Sequence, residues 1–445
     1  MDLINVDTTV AQSLIFDTIQ SEKERADRTK RAWAAYHGEP PQQIPVPTGG
    51  RNDNVTIGYP RTIVDKGVAF LFGEDIQVTV PDNPEATLML EEAWRQNRKM
   101  LTLQKLALNG AITGHFFAKL QIQDGLPHPR IIVIDPSYVT VSWDPEDIDT
   151  VLAYRIQWTI IQRDNKPAVR RQEIVRDGQA WTITDLISDT SDGRFRVIAE
   201  NSWPFPWPPI VDGQNLPQPN EYWGLSDLEI DVLDLSEAID RVLSHINKII
   251  RIHAHPKTVS KGLIKEQLKT LSMGSDDVLM LPSMDADLYT LEMQSDLKAS
   301  LDTYRELKAA LHEVTRVPEV ATGKLDSVGQ LSGLALSILY QPLIEKTDGK
   351  RRTYGYVIEL LSERILELAG RKDLTVQIEW PQLLPSDPKE EASTLLLHQQ
   401  LGVVSEETIA RKLGYDWDAE HQRIEEERTS TADVLTTAFD RGKVL

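Results

Sequence analysis

The residues of this chain that could do chemistry do not stand at the spacings a reaction needs. Gly323, Lys324 and Gly329 miss the interval of a loop that wraps phosphates in backbone amides, which argues against nucleotide hydrolysis. His312 and Glu313 open a zinc-holding helical pair, but Thr315 and Arg316 stand where the second histidine belongs. His253 and His255 could share a metal. They fit equally a helix C-terminus, whose partial negative charge favours them. Serine, histidine and aspartate occur without the glycine-flanked elbow of a nucleophile. The neighbours Asp276 and Asp277, and Glu390 and Glu391, read as solvated charge rather than as acid and base. With no cysteine there is no disulfide, thiolate metal site or cysteine nucleophile. The expectation is a protein without catalytic residues, metal or cofactor.

One aromatic cluster remains. Trp203, Phe205 and Trp207 lie among four prolines, a composition open to two readings: a platform for a sugar or peptide, or a stiff connector whose rings close a sheet's core. A carbohydrate-binding protein built on Trp203 to Trp207 is the alternative carried forward.

Composition bounds the rest. With 445 residues and 40% hydrophobic content, the chain can bury two or three domains. Formal charge is −20, from 68 acidic against 48 basic residues, so a surface that grips DNA phosphates is not expected, and any contact with DNA should be loose. No apolar run approaches the roughly eighteen residues of a membrane span, and no charged and apolar leader is read at the start; residence in cytosol is the default expectation.

The pattern is organised around residues 224–333. Ser226 followed by Glu229 is a capping box, with Leu225 and Ile230 as its staple. Leu228, Val232, Leu235, Ile239, Val242, Ile246 and Ile249 then form the seam of a long helix over 227–251. Its first half holds Asp227, Glu229, Asp231, Asp234, Glu237 and Asp240; its second holds Arg241, Lys248 and Arg251, an order that suits the helix dipole. A second helix follows Ser295 and ends where Val317 meets Pro318. Between them the sequence predicts strands over 278–281 and 287–293, in an insert too small for its own core and expected to pair with copies of itself.

Before this stretch, helices are expected over 9–37, from Pro60 to Gly73, and over 84–97 and 101–113. Strands are expected over 75–80, 115–122, 131–134, 138–143, 151–161, 169–175, 179–186 and 195–198. This is an antiparallel meander on helices, an α+β fold. After it come a polar segment over 318–331, a helix to about 368 that Pro342 should kink, a strand over 374–380, and helices over 389–400, 405–413 and 418–428.

The order of parts resembles the portal proteins of tailed double-stranded DNA bacteriophages. The likeness rests on Tyr36 with Gly38; Leu71, Phe72 and Gly73; 108–114; Ile134, Asp135 and Pro136 followed by 141–145; 331–336; and 402–408. Each is short, and the weight lies in their order along nearly the whole chain. The resemblance implies a wing over 1–224, a first stem helix over 225–252, a clip over 253–295 and a second stem helix over 296–316. A tunnel loop over 317–333, a long kinked helix with a wing strand over 334–388 and a helical crown with tail over 389–445 complete it.

It further implies a homo-oligomeric ring of about twelve copies at one capsid vertex. Double-stranded DNA would pass through its channel, and the clip would dock the terminase large subunit and later head-completion or tail adaptor proteins. The wing would meet major capsid or scaffolding protein. Such a protein would reside in the virion, and in host cytoplasm during assembly, with no membrane partner. The tunnel-loop candidates are Glu319, Lys324, Asp326, Ser327 and Gln330; the channel-facing stem candidates are Asp231, Asp234, Glu237 and Lys248; the clip-docking candidates are Lys261, Lys265 and Lys269. Whether the stem charges face the channel or pair between subunits stays open, as does a different viral ring or adaptor protein.

Overall fold

The computed structural model describes residues 8–39, 45–46, 52–162, 165–188, 193–254, 257–261, 287–291, 297–322, 333–384 and 388–426. They form two compact units, Met1–Ser327 with Leu339–Pro381 and Val328–Ile338 with Gln382–Leu445. The class is α+β, as the sequence predicts.

The first unit opens with helices α1 (Thr8–His37) and α2 (Tyr59–Phe72), a short strand β1 (Gln77–Thr79), then α3 (Pro84–Gln96) and α4 (Lys99–Thr113). Proline at the first turn and a side-chain cap set the start of α3, where Asn83 accepts the Ala86 amide at 3.0 Å. Gly114 stops α4 at φ 86°, and a Cβ there would lie 2.2 Å from the Gly224 carbonyl, so the turn into β2 (His115–Gln121) admits no side chain.

Two sheets follow rather than one meander. Strand β2 is central in a three-stranded sheet between β3 (Arg130–Ile134) and β9 (Ile210–Gln214). A separate five-stranded antiparallel sheet runs in sequence order through β4 (Val139–Asp144), β5 (Asp147–Ile161), β6 (Pro167–Asp177), β7 (Ala180–Ser188) and β8 (Arg196–Trp203). Strand β9 is absent from the sequence reading; here its Asp212 and Gly213 pair with Phe117 and Phe116 of β2.

The long helix α5 (Ile230–Ala254) is packed on α6 (Leu297–Thr315), and α7 (Gly333–Leu368) runs without interruption through Pro342. Strand β10 (Lys257–Lys261), which the sequence does not announce, pairs antiparallel with β11 (Asp287–Leu291). The run predicted over 278–281 and the expected cap at Ser295 lie outside the described residues. Strand β12 (Gln377–Glu379) pairs with β1, and each has only three residues where longer strands are expected.

Three apolar clusters hold this unit. One joins Phe72, Trp94, Leu106 and Phe116 to Tyr354 and Leu361 of α7. The second packs Val64, Ile112, Val232, Ile239, Leu311 and Leu343, and so fixes both long helices to α2 and α4. The third lies under the five-stranded sheet around Phe117, Tyr154, Ile174 and Trp181. The second unit contains α8 (Pro388–Gln400), α9 (Glu406–Lys412) and a helix over 417–426. Ser405 caps α9 by accepting the Thr408 amide, with Glu406 and Glu407 in the first turn and Arg411 and Lys412 in the last.

Candidate functional site

The root of α5 is built on charge taken out of water. The capping box forms: the Ser226 amide donates to Glu229 Oε1 at 2.8 Å and Ser226 Oγ accepts the Leu228 amide at 2.8 Å. Regular helix begins at Ile230 rather than at Asp227; the Leu233 amide donates to the Glu229 carbonyl at 3.0 Å, and the Asp227 amide is satisfied outside the helix by the Ala111 carbonyl at 2.7 Å. The Asp227 side chain then meets two lysines one turn apart on α7, Lys350 at 2.5 Å and Lys346 at 3.2 Å. Burial alone would raise this carboxyl, but the two ammonium groups overcome it and hold it at about 2. Lys350 is lowered to about 8, burial outweighing the pull of Asp227. Lys346 also donates to the Thr315 carbonyl at the end of α6, and Asn215 bridges Asp227 to the Tyr354 hydroxyl. One node therefore ties α5, α6 and α7 together.

Above the root an extended segment, residues 52–58, lies antiparallel along α5. The Ile57 amide donates to Asp240 Oδ1 and the Val55 amide to Ser244 Oγ, each at 2.9 Å; Asn247 donates to the Asp53 carbonyl at 3.1 Å. Arg251 closes the row on the Asp53 carboxylate at 2.6 Å. Positions 240, 244, 247 and 251 fall on one stripe. Two extended residues advance about 6.6 Å and one helical turn about 5.4 Å, close enough for alternate amides to meet successive turns. Burial lifts Asp240 to about 6 despite the Ile57 amide.

The predicted residues divide accordingly. Asp234 and Glu237 both accept Arg31 of α1, at 2.6 Å for Asp234. Asp231 and Lys248 are exposed. Of the six acids read in the first half of the helix, Asp227, Glu229, Asp234, Glu237 and Asp240 thus have partners within the chain. Glu319 stands in a single 3-10 turn, Glu319–Thr322, and accepts Lys308 of α6. Lys324, Asp326, Ser327 and Gln330 lie outside the described residues, as do Lys265 and Lys269; Lys261 ends β10. Of the chemical candidates, His312 contacts the Val317 carbonyl at 2.8 Å, while His255, Gly323, Gly329, Asp276 and Asp277 lie outside the described residues.

Sequence reasoning missed Lys346, Lys350 and Asp53. The two lysines had a signal: they share a helical face with Leu343, Thr347 and Tyr354, where a cation is buried only when paired. A second buried group was also missed. Asp212 accepts His115 at 2.9 Å, Tyr154 at 2.7 Å and Tyr222 at 2.5 Å, and these donors hold it below the usual carboxylate range against its burial.

The aromatic cluster serves the core. Trp203 is 6% exposed, Phe205 stacks on Trp207 with centroids 4.7 Å apart, and the Trp207 indole donates to Glu367 at 2.7 Å.

The charged groups around α5 fasten helices to one another, as they do in a structural subunit. The family model described as "Phage portal protein, SPP1 Gp6-like" matches residues 17–433, and the chain belongs to that family, which is structural rather than enzymatic. No curated protein matches it. Among solved structures it is similar to a chain of the "Virion of native gene transfer agent (GTA) particle", at 14% identity and TM-score 0.43, covering 87% of this chain and 99% of that one. It is also similar to a chain of the "Neck of empty GTA particle computed with C6 symmetry", at 13% identity and TM-score 0.42, covering 80% and 90%.

Proposed function

We propose that this chain is the subunit of a portal ring, about twelve copies closed around a channel at one capsid vertex. Double-stranded DNA passes through it on packaging and ejection. The observation that carries this reading is the family match over 17–433. In this reading α5 and α6 form the stem, the segment containing β10 and β11 the clip, and residues 317–333 the tunnel loop. The helices from Pro388 form the crown, and the sheets the wing.

Physical chemistry supports the assignment. Duplex DNA carries a negative charge about every 1.7 Å, and a conduit must pass it without holding it. A subunit of formal charge −20 repels the duplex, and a ring repeats each exposed acid in every copy. On α5 the stripe of 240, 244, 247 and 251 is taken by residues 52–58, so the faces left for channel or neighbour carry Asp231, Arg241, His245 and Lys248. Glu319, Lys324, Asp326, Ser327 and Gln330 belong to the tunnel loop, and among them Lys324 gives weak, salt-sensitive contacts with the duplex. Lys261, Lys265 and Lys269 lie in the clip, which docks the terminase large subunit and then head-completion or tail adaptor proteins. The wing meets major capsid or scaffolding protein. The subunit acts in the virion and assembles in host cytoplasm.

Electron microscopy of the purified protein with native mass tests the ring. About twelve subunits around an axial channel wider than the roughly 20 Å duplex are expected. A compact monomer that persists alongside capsid and scaffolding protein would sink the reading. Replacing Lys324 and Gln330 with alanine should alter DNA packaging or retention in an intact ring. Normal packaging by that double variant removes the tunnel-loop assignment.

A further inference from the structure

Within the first unit a cleft of about 980 Å³ opens between α7 and the near end of the five-stranded sheet. It is at the upper end of the volumes that take organic ligands, and it is open to solvent rather than enclosed. One wall comes from α7, with Tyr356, Val357 and Leu360; the facing wall has Trp181 and Trp207. Tyr356 is 65% exposed, while its neighbour Val357 is 2% exposed, so the phenol stands out of a buried helix at the mouth of the cleft. The floor is committed in part, with Arg364 Nε and His115 Nδ1 left buried without a hydrogen-bond partner among the described residues. The Tyr154 and Tyr222 hydroxyls are committed to Asp212, and Arg364 donates to the carbonyls of Pro208 and Ile210 at 3.2 and 2.8 Å, its charge set against Asp212.

The rim is not satisfied in the same way. It carries Glu146, Asp147, Asp149 and Glu221 against Arg176. Asp147 is occupied by its own turn, accepting the Asp149 amide and the Thr150 hydroxyl. Glu146, Asp149 and Glu221 have no ion-pair partner among the described residues. Like charges held around one opening raise its negative potential until a cation enters, and the aromatic walls offer a second attraction for that cation through their ring faces.

We propose that this cleft binds an extended segment of another protein, one that places lysine or arginine beside an aliphatic or aromatic anchor. The anchor lies between Tyr356 and Trp207, and the cations meet Glu146, Asp149 and Glu221. Extended chain suits a trough with unlike walls, since alternate side chains point to opposite sides. Charge also selects among occupants: a second copy of this chain, at −20, is a poorer match to an acidic rim than a basic segment is.

The probe is a fluorescein-labelled peptide of alternating arginine and leucine ending in phenylalanine, with its glutamate-for-arginine counterpart as control. Anisotropy is read on the full chain in the assembly in which it purifies. The basic peptide should bind at least about tenfold tighter than the acidic one, and weaken as salt rises from about 0.05 to about 0.3 M. The double variant Glu146→Gln with Asp149→Asn, and separately Tyr356→Ala, should each weaken it about three- to tenfold with the melting temperature unchanged, since these side chains are exposed. Equal binding of the two peptides overturns the proposal, as does binding that neither variant weakens. No binding by the assembled protein also overturns it, because the cleft is then closed by a neighbouring copy.

Discussion

The long helix α5 is fastened twice, and the two fastenings differ in what water can do for them. At the root, the Asp227, Lys350 and Lys346 side chains are 1%, 4% and 9% exposed, so a broken contact leaves a charge with no solvent to turn to. Along the shaft, residues 52–58 meet Asp240, Asn247 and Arg251 at a partly exposed surface, where these groups can be hydrated when released, and only Ser244 in that row is buried. The same helix is thus locked where it joins α6 and α7 and held by separable contacts above. The stem role proposed for α5 would use both, keeping one direction while its outer surface meets other molecules.

The largest test of this contrast is Asp227→Asn. It leaves two buried ammonium groups without their carboxylate and should cost about 3–5 kcal/mol in chemical denaturation. Adding Lys346→Met and Lys350→Met to Asp227→Leu should recover much of that loss, because apolar groups of similar volume need no counter-charge. A single variant as stable as the parent would show that the node is wet. The pH dependence has a definite sign. Asp227 is depressed to about 2, so its contribution is complete above the ordinary carboxylate range near 3.8 and is lost as pH falls towards 2.

Changes along the shaft should be smaller and local. Ser244→Ala removes the acceptor of the Val55 amide and should cost about 1 kcal/mol, with faster hydrogen exchange at Val55 and unchanged protection in the α5 core. If protection collapses along the whole helix, the two fastenings are one cooperative unit and the comparison fails. Asp240 adds a signature of opposite sign to that of Asp227. Its carboxyl is raised to about 6, so the folded chain holds this proton more tightly than the unfolded one, and stability from this group increases as pH falls from about 6 towards 3.8. Asp240→Asn keeps an acceptor for the Ile57 amide and removes the titration. A stability profile between pH 4 and 6 that is no flatter than the parent's would contradict the assignment.

Much of this architecture was legible because it is written in local periodicity. The seam of Val232, Ile239 and Ile246 gave α5, the box of Ser226 and Glu229 its entry, and the runs over 169–175 and 179–186 the paired strands β6 and β7. What was hidden depends on residues far apart in the chain. Asp227 and Lys350 meet across 123 positions, and Asp53 and Arg251 across 198, separations at which no spacing rule operates. For the same reason Asp234 and Glu237 read as facing a channel or a neighbouring subunit, although Arg31 of the same chain takes both, while residues 52–58 take Asp240 and α7 takes Asp227. Strand β9 was missed because a five-residue run holding Asp212 and Gly213 has weak intrinsic strand preference, and pairing with the central strand β2 supplies what the local sequence lacks.

The smallest expected effect sharpens the comparison most, because it concerns the part of α5 that neither fastening touches. Lys248 is exposed and sits away from the stripe that holds residues 52–58. Lys248→Glu should therefore change the stability of the unassembled chain by no more than about 0.5 kcal/mol, the usual range for surface positions. A loss above about 1 kcal/mol there would mean that this face is already packed within the subunit, and would remove it from the surfaces available to a channel or a neighbour. With subunit stability unchanged, any shift in assembly or in the salt dependence of DNA retention is attributable to contacts made outside the chain. Measuring the unassembled and assembled forms side by side separates a helix held by its own subunit from a surface used by the ring.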